Sequence, residues 1–410
     1  MATSTPILIN TNRTHANNPV DFSSNLAPQL LQCARWVTKP MWWTTEQVLR
    51  IVMPIIPGKY DQCTDKTDEI IYRILKGFIA IPSITVTIPL GFASCIPRFI
   101  GTCLQKEDFV HLKGNIEVSP SFLKKKFTVL SMNICGMPGG LSLIFGGVPP
   151  LNSRISRIVE RILAANADVV LLQEVHDEDG AYELYDRLKN KYSDFYLNIG
   201  TQATTLNSGL FACIKSKTVN PSFSSFKEIE GSHRSVNKGC FNFTIGSKEA
   251  PIAHIFHAHL QPSPDDMNPT SSEKKTRQLE LQHILRKMHS IPNRMFDAPI
   301  VLAGDMNIAY GSEEYNDSIL SNHFITSYDE SGFQETCAIS FTQYVWTYSS
   351  EKRNLLDRDR CITLDYTVVL KQDQDIQEHK VETFLAKTFD TSKPELALSD
   401  HNAILSKIIG

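Results

Sequence analysis

Short apolar runs that end in polar residues recur through the second half of the chain. The clearest run is residues 300–303, Ile-Val-Leu-Ala, which Gly304, Asp305 and Asn307 follow closely. It is too short for a helix and too apolar for a surface loop, so it predicts a buried strand, with Gly304 allowing a close turn. On a backbone that stays extended, Asp305 and Asn307 share one face. The alternative is a loop in which both side chains cap a turn.

Similar patterns predict a mixture of strands and helices from residue 127 onward. The predicted strands are residues 127–134, 168–173, 210–214, 240–245, 252–260, 361–370 and 403–409. Apolar residues at helical spacing between Ile155 and Leu163 predict an amphipathic helix, and residues 272–288 predict a second helix. Because many strands follow one another directly, the fold class is α/β, as a sandwich of packed sheets.

The first third of the chain has a different pattern. Residues 1–30 are rich in Asn, Thr and Pro and predict a loose terminus. Residues 44–47, Thr-Thr-Glu-Gln, resemble a capping box before a short helix that ends near Pro54. Three of the four tryptophans lie beside it, within residues 36–43. This clustering fits either a membrane–water interface or an ordinary core.

Residues 77–97 form a second unusual stretch, without a single charged side chain. As a helix they would cover about 30 Å, close to the thickness of a bilayer core. Pro82, Pro89 and Pro97 would each break or kink such a helix, and β-branched residues are frequent. Three interpretations stay open: an element that dips into a membrane from one side, a single membrane span, and an extended segment buried against the second domain.

Composition excludes several classes of protein. The chain has 410 residues, of which 42% are hydrophobic and 21% charged, as in an ordinary globular protein of one to three domains. The net charge of −3 gives no global basic field for nucleic acid. Nine cysteines without a C-x-x-C pair argue against a zinc ribbon or a disulfide framework and favour a reducing compartment. No ordinary signal peptide is recognisable, which leaves leaderless export open.

Six predicted strands end in, or adjoin, polar residues that suit metal and phosphate chemistry. These residues are Asn133, Gln173, Glu174, His257, His259, Asp305, Asn307, Asp365, Asp400 and His401. A single such residue is usually a cap, but six strand ends of this kind are hard to explain by capping. Converging carboxylates, amides and histidines suit a hard divalent cation together with a phosphate.

These residues, in this order, resemble the endonuclease/exonuclease/phosphatase superfamily, which has the deoxyribonuclease I-like fold. The resemblance covers residues 127–410. It is carried by Ser-Met-Asn133-Ile-Cys-Gly, Leu-Leu-Gln173-Glu174, His-Ala-His259-Leu, Gly-Asp305-Met-Asn307, Leu-Asp365-Tyr and Ser-Asp400-His401. It implies two packed mixed β-sheets flanked by helices, a four-layer α/β sandwich with an N-terminal hydrophobic extension. We therefore expect a hydrophobic, membrane-associating region at 31–120 and a catalytic domain at 121–410.

The resemblance implies a metal site. Glu174 would be the principal ligand of Mg²⁺, with Asn133 beside it, and Asp400 would contribute to a metal site. Mn²⁺ is the alternative ion. A glutamate with amide and water oxygens is a magnesium-type ligand set, so the histidines need not be ligands.

The resemblance also implies catalytic roles for five residues. His401 would act at the scissile phosphate, as a general base or as a transition-state stabiliser, and Asp365 would orient it. Asp305 would orient and activate the attacking water, while Asn307 and His259 would bind the phosphoryl oxygens. The implied chemistry is in-line attack of water on a phosphoester.

Three further segments indicate the substrate. Residues 207–217, residues 236–240 and His259-Leu-Gln261 resemble the corresponding segments of neutral sphingomyelinases. That resemblance implies cleavage of sphingomyelin to ceramide and phosphocholine, with a sphingolipid or phospholipid as substrate. It also agrees with a membrane surface contacted by residues 36–100, in a membrane-associated protein of a reducing, cytoplasmic-type compartment.

Other functions stay open. The segment Gly-Asp305-Met-Asn307-Ile-Ala is equally similar to apurinic/apyrimidinic endonucleases, and such a nuclease needs a basic surface for DNA. Arg154, Arg157 and Arg161 would supply part of that surface, or they are the solvated side of a helix. A phospholipid or inositide phosphatase is the second alternative. The non-enzymatic alternative is an inactive binding module on membranes.

Overall fold

The structure is a computed structural model of the chain. It describes residues 26–40, 66–117, 126–137, 151–202, 205–226, 235–263, 269–292, 298–326, 363–371, 380–386, 398–399 and 401–409. The short helix expected between residues 44 and 54 lies outside the described residues. Two of the clustered tryptophans, Trp42 and Trp43, and the predicted metal ligand Asp400 lie outside them as well.

One β-sheet has seven strands. They are β1 (Val110–Lys113), β2 (Lys126–Asn133), β3 (Val169–Gln173), β4 (Asp194–Leu197), β5 (Phe211–Ile214), β12 (Lys380–Ala386) and β13 (Ala403–Ile409). Their order across the sheet is β1-β4-β5-β3-β2-β13-β12. Neighbouring strands are antiparallel except β2 and β3, which run parallel.

The second sheet has six strands. They are β6 (Thr218–Ser225), β7 (Gly239–Gly246), β8 (Pro251–His259), β9 (Ile300–Asp305), β10 (Phe324–Ile325) and β11 (Asp365–Leu370). Their order is β10-β11-β9-β8-β7-β6, and only β8 and β9 run parallel. Each sheet thus contains one parallel pair, whose strands end at the same edge.

Seven helices are described. They are α1 (residues 26–40), α2 (Lys66–Leu104), α3 (Leu151–Ala165), α4 (Glu178–Leu188), α5 (Ser271–His289), α6 (Glu313–Asn316) and α7 (Ile319–His323). α3 connects the parallel strands β2 and β3, and α5 connects β8 and β9. A parallel pair needs such a crossover because its strands start at the same end of the sheet.

The two sheets pack face to face and carry helices on their outer faces. Val129 and Leu171 of the first sheet share a buried cluster with Phe241 and Val301 of the second. On the outer face of the first sheet, α3 and α4 bury residues such as Ile158. α5 does the same on the second sheet. The layers are therefore helix, sheet, sheet and helix, which confirms the predicted sandwich.

The strands and helices predicted from residue 127 onward are all present, with shifts of a few residues at their ends. The predictions missed the strands β1, β4, β6, β10 and β12 and the helices α1, α4, α6 and α7. Strands of four residues carry too few positions for a periodic signal. Because β1 pairs with β4, the first sheet begins at Val110, ahead of the predicted boundary at residue 121.

The hydrophobic stretch at residues 77–97 is helical, so the interpretation as an extended buried segment was wrong. It lies within α2, a helix of 39 residues that contains Pro82, Pro89 and Pro97. Each proline removes one backbone hydrogen bond. Pro82 and Pro89 are seven residues apart and both exposed, so these two losses fall on one side of the helix.

Candidate active site

The two parallel pairs bring their polar strand ends together. In the first sheet Asn133, the last residue of β2, pairs in register with Gln173 at the end of β3. In the second sheet His259, at the end of β8, pairs with Asp305 at the end of β9. Asp365 opens the antiparallel strand β11 directly opposite Asp305. Residues that are far apart in sequence therefore meet at one edge of the sandwich.

Asn133 joins the two sheets at this edge. Its Nδ2 donates to Glu174 Oε1 and to Asp305 Oδ2, both at 3.0 Å. Its Oδ1 accepts a hydrogen bond of 3.0 Å from the backbone N–H of Cys135. In this orientation the amide presents its nitrogen, and not its oxygen, to the two carboxylates. Its role as a metal ligand stays a prediction and requires the amide to turn.

Glu174 is held in a conformation that few side chains adopt. Its φ of +60° lies in the left-handed region, directly after β3. The Gly136 N–H donates to the carbonyl of Glu174 at 2.8 Å, and the Val175 N–H donates to the carbonyl of Gly209 at 2.8 Å. The Glu174 side chain is 24% exposed, so its carboxylate faces solvent while its backbone is fixed. Such strain is common where a side chain must be aimed into a site.

Asp305 and Asn307 do not lie on a continuing strand; of the two possibilities that the sequence left open, the chain takes the turn. Asn307 has φ +51°, and its backbone N–H donates to Asp305 Oδ1 at 3.0 Å. Its side-chain Nδ2 donates to the carbonyl of Leu260 at 3.1 Å. Glycine is needed at position 304 because the neighbouring strand approaches closely, and not because the chain turns there. A β-carbon at Gly304 would lie 1.9 Å from the carbonyl oxygen of Ala258.

His401 lies between two carboxylates. Its Nδ1 is 2.8 Å from Asp365 Oδ2, and its Nε2 is 3.7 Å from Asp305 Oδ2. A carboxylate accepts hydrogen bonds only, so Nδ1 carries the proton and the neutral ring offers a lone pair at Nε2. The backbone N–H of His401 donates to Ser399 Oγ, which itself donates to the carbonyl of Asn133. His401 is therefore held at both its ring and its backbone.

His259 completes the ring of groups around the site. Its Nε2 lies 3.7 Å from Asp305 Oδ2 and 4.0 Å from Glu174 Oε1. Lys238, which the sequence singled out only as part of residues 236–240, holds this strand end from behind. Its Nζ donates to the carbonyls of Leu260 and His259, at 2.8 and 3.3 Å.

Lys238 is a buried cation beside an acidic site. Burial lowers the pKa of its ammonium group, and the negative charges of Glu280, Glu174 and Asp305 act in the opposite direction. Burial raises the pKa of Glu280, and the positive charge of Lys238 acts in the opposite direction. Lys238 therefore compensates part of the negative charge of the site from the protein side.

Arg154 is a second residue whose role the sequence did not reveal. It lies off the apolar stripe of α3 in the sequence pattern, yet its side chain is buried. Its guanidinium donates to the carbonyls of Ile134 and Cys135, each at 2.8 Å, and to that of Leu398. It ties the loop after β2 to the segment before His401. Arg154 therefore supplies no part of a basic surface for DNA.

We expect Arg154→Met to destabilise the protein by about 3 kcal/mol or more, because three buried carbonyls lose their donor. The measurement is the free energy of unfolding in urea. Arg161→Met, on the exposed side of the same helix, is the control and should change stability by about 0.5 kcal/mol at most. Equal stability of the two variants would contradict the structural role of Arg154.

Two buried histidines make stability depend on pH. Burial lowers the pKa of His257 from 6.5 to about 3, and mainly burial lowers that of His176 from 6.5 to about 4. Both are neutral in the folded protein and charge on unfolding below pH 6.5. The contribution of these two histidines to the free energy of unfolding is therefore fully present above pH 6.5 and decreases as the pH drops toward 4.

The expected loss is about 1.4 kcal/mol per pH unit for each histidine in that window. Urea unfolding at about pH 7 and about pH 5 measures it. His257→Gln removes one of the two groups, so the variant should lose less stability than the wild type over this interval. The same loss in both proteins would show that His257 does not contribute.

The donor set fits a divalent cation. Among the described residues, Asp305, Asp365 and His401 form a group whose candidate ligand atoms lie within 4.8 Å of one another. Because Asp365 and His401 bond each other, an ion would bind on the side of Asp305 and Glu174. Glu174 and Asp305 converge on one Asn133 amide group, which leaves their carboxylates facing the same space. Hard carboxylate oxygens of this kind suit Mg²⁺ or Mn²⁺. Glu174, with its partly exposed carboxylate, would hold such an ion.

The structure brings together seven of the eight predicted site residues. They are Asn133, Glu174, His259, Asp305, Asn307, Asp365 and His401. The eighth, Asp400, lies outside the described residues. His257 and His254, by contrast, are buried on opposite faces of β8: His257 contacts Gln173 between the two sheets, and His254 contacts Thr244 on the other face.

Comparison with known proteins gives a family. A model of the endonuclease/exonuclease/phosphatase family matches residues 130–401, which is well over half of the 410 residues. No curated protein matches the chain.

Similar solved structures include SmcL, at 20% identity and a TM-score of 0.48, covering 70% of this chain and 99% of that one. A humanized D. rerio TDP2 matches at 16% identity and 0.48, covering 70% and 99%. Sphingomyelinase C from Streptomyces griseocarneus matches at 19% and 0.46, covering 69% and 99%. Because these identities are low, the assignment rests on the family model. The chain belongs to the endonuclease/exonuclease/phosphatase family.

Proposed function

We propose that the chain is a Mg²⁺-dependent phosphodiesterase that cleaves sphingomyelin to ceramide and phosphocholine. The observation that carries the hydrolytic part is the placement of His401 Nε2, 3.7 Å from Asp305 Oδ2, on the same side as His259 and Glu174. These four side chains are of the kinds that activate a water and bind a phosphoryl group. Members of the family act on phosphoric esters, as its name states.

The residues of the chain divide the work. Asp305 accepts a hydrogen bond from the attacking water and holds it in line with the phosphorus. His401 takes the proton of that water at Nε2, and Asp365 stabilises the imidazolium that forms. The P–O bond to the ceramide oxygen breaks; this oxygen takes a proton from solvent, and the imidazolium then releases its proton to solvent. His259 and Asn307 bind the phosphoryl oxygens. A divalent cation at Glu174 would supply positive charge for the developing negative charge on those oxygens.

The sphingomyelin part is supported by the position of the segments that resemble sphingomyelinases. Leu206 and Val236, at the edges of residues 207–217 and 236–240, pair by a β-bridge, so the two segments lie side by side. The first contacts the Glu174 loop through the carbonyl of Gly209. The second carries Lys238, which holds His259. A substrate group in this position would touch both segments and the catalytic residues.

A membrane is the proposed partner surface, contacted by residues 36–100. Among the described residues one helix, over Thr87–Leu104, is long and apolar enough to cross a membrane by length and composition. The corresponding location is a membrane surface in a reducing compartment. The six cysteines within the described ranges are all free thiols, which supports that compartment.

The test is release of phosphocholine from sphingomyelin in mixed micelles with Mg²⁺. We expect release by the wild type that stops with EDTA and is restored by Mg²⁺. If sphingomyelin survives, abasic DNA and phosphoinositides are tested with the same protein. Cleavage of either one would overturn the sphingomyelin proposal and keep the hydrolase. No cleavage of any substrate would favour the inactive binding module.

A further inference from the structure

Over residues 87–104, the exposed and buried sides of α2 are reversed relative to those of a helix in a soluble protein. Its buried positions carry small residues, among them Thr87, Ser94 and Gly101. Its exposed large apolar residues are Ile88, Leu90, Phe92, Ile96, Phe99 and Ile100. Phe92 and Phe99 are 73% and 59% exposed. Helices that pack through small residues and turn large apolar side chains outward are typical of a lipid environment.

Helix α1 packs closely against α2 at Gly101. A β-carbon on Gly101 would lie 2.9 Å from Leu31 Cγ and 3.2 Å from the Leu31 backbone nitrogen. Leu31, Ala27 and Ala34 form the buried side of α1, whereas Trp36 is 77% exposed. α1 and α2 are therefore a helix pair that turns aromatic and aliphatic side chains outward.

Charged residues mark one end of this apolar surface. Residues 77–97 contain no charged side chain, but Arg98 follows directly, and Lys106, Glu107 and Asp108 are exposed just beyond the helix. At the end of α1, Lys39 is 66% exposed. An apolar surface bordered by a charged belt matches the boundary between a bilayer and water. A lipid bilayer is therefore the occupant to which we commit.

Two arginines and a lysine join the helix pair to two carboxylates at the start of α4. Both arginines pair with Glu178, and Asp179 Oδ1 and Oδ2 lie 3.3 Å from Arg35 Nε and 3.7 Å from Lys39 Nζ. Arg98 of α2 donates to Glu178 Oε1 at 2.5 Å and to the carbonyl of Gln202 at 2.7 Å. Arg35 of α1 lies 3.8 Å from Glu178 Oε2, with its guanidinium over the ring of Tyr182. The side chains of Glu178, Arg35 and Arg98 are only 9–17% exposed, so water screens this cluster weakly.

Glu178 is also close to the active site along the chain. It opens α4 four residues after Glu174. The intervening backbone is held, because the Gly136 N–H donates to the carbonyl of Glu174 and the Asp177 N–H donates to the carbonyl of Gly136. A shift of the helix pair would therefore be transmitted to the loop that aims Glu174.

We propose that α1 and α2 form a lipid-contacting platform and that Glu178 is the positioning residue that fixes the active site over it. This inference rests on the proposed hydrolysis of a membrane lipid. It predicts that the cluster of Arg35, Glu178 and Arg98 matters for a substrate in a bilayer and not for a soluble one. A soluble phosphodiester diffuses into the site without the platform. To reach a lipid headgroup, the active site must be held at a fixed height and angle above the bilayer.

The first test asks whether lipid covers the apolar surface. The Phe92→Glu, Phe99→Glu double variant should lose flotation with vesicles of phosphatidylcholine and sphingomyelin. Leu279→Glu, at an exposed apolar position on α5, should still float. Unchanged flotation of the double variant would overturn the lipid platform. A lipid-free dimer that the double variant dissociates would overturn it too, because a second copy would then be the occupant.

The second test concerns the positioning role and needs no hydrolysis. With EDTA present, vesicles should slow hydrogen exchange of α2 and of residues 174–181 in the wild type. In Glu178→Gln and in Arg98→Gln, vesicles should slow exchange of α2 only. Glu183→Gln, which breaks the exposed ion pair with Arg187 on the same helix, should behave as the wild type. Wild-type behaviour of both cluster variants would overturn the proposal.

The third test separates positioning from simple loss of structure. Glu178→Gln should lower hydrolysis of vesicle sphingomyelin by about tenfold. It should leave hydrolysis of soluble p-nitrophenyl phosphorylcholine at the wild-type rate. Equal loss on both substrates would overturn the positioning role. If the wild type cleaves neither, the proposed function fails, and the exchange experiment still decides the platform.

Discussion

His401→Asn lowers the turnover of the proposed phosphodiesterase by about a thousandfold, the usual contribution of a general base. Asn keeps a polar group near Asp365 but has no lone pair at the position of Nε2 that could take the proton of the water. The measurement is turnover with saturating Mg²⁺ on the substrate found in the micelle assay. Metal affinity, measured by calorimetry, should stay the same, since the loss is one of proton transfer.

The control for this variant is His289→Asn, at an exposed position at the end of α5. It should retain full turnover. Asp365→Asn should lose nearly as much as His401→Asn, because the imidazolium loses the negative charge beside it and the amide N–H can donate to Nδ1, which favours the wrong tautomer. If His401→Asn keeps wild-type turnover, Asp305 alone activates the water and the assigned base is wrong.

Glu174→Gln is expected to weaken Mg²⁺ binding by more than the roughly 10–100-fold that loss of an outer partner of a metal site costs. The amide keeps an oxygen that Asn133 can bond, but it removes the negative charge that attracts the cation. Turnover at low Mg²⁺ should fall in parallel and recover partly at high Mg²⁺. His401→Asn should show no such recovery, so the two variants distinguish metal binding from proton transfer.

The direct measurement is titration calorimetry of the wild type and of Glu174→Gln with Mg²⁺. Because the Glu174 side chain is partly exposed, the variant should unfold at the same urea concentration as the wild type. Glu183→Gln removes an exposed carboxylate on α4 and should bind Mg²⁺ normally. Equal Mg²⁺ affinity of all three proteins would show that Glu174 is not the principal ligand.

The sequence predicted the central strands because their signal is local. Residues 300–303 and 169–172 are continuous apolar runs, and a run buried on both faces leaves few alternatives to a strand. Edge strands such as β1, with alternating and partly exposed positions over four residues, carry too little pattern. The pairing of β1 with β4 is a long-range contact, and no local pattern encodes it.

The conformation of Asp305 and Asn307 shows where local reasoning ends. The sequence identified both residues, but it left open whether the chain extends or turns. The left-handed conformation of Asn307 is stabilised by a bond to the carbonyl of Leu260, which is 47 residues away. Whether two polar residues share a face therefore depended on a partner that the local sequence does not contain.

Arg154 and Lys238 show the same limit for charged residues. A basic residue off an apolar stripe is usually solvated, and nothing near Arg154 in sequence indicates otherwise. The carbonyls that it binds belong to the loop after β2 and to Leu398, which come together only when the sheet forms. The burial of Lys238 likewise depends on the end of β8, where its ammonium group donates to the carbonyl of Leu260.

The sequence by itself determined the types of the candidate site residues, their order and the strands that end at them. These follow from short apolar runs and from the chemistry of the side chains next to them. Only the tertiary structure decided how Asn133 joins Glu174 to Asp305, that Arg154 is buried, and that α2 continues through three prolines. Each of these depends on partners or burial remote in sequence, and such contacts are fixed only when the sheets and helices pack.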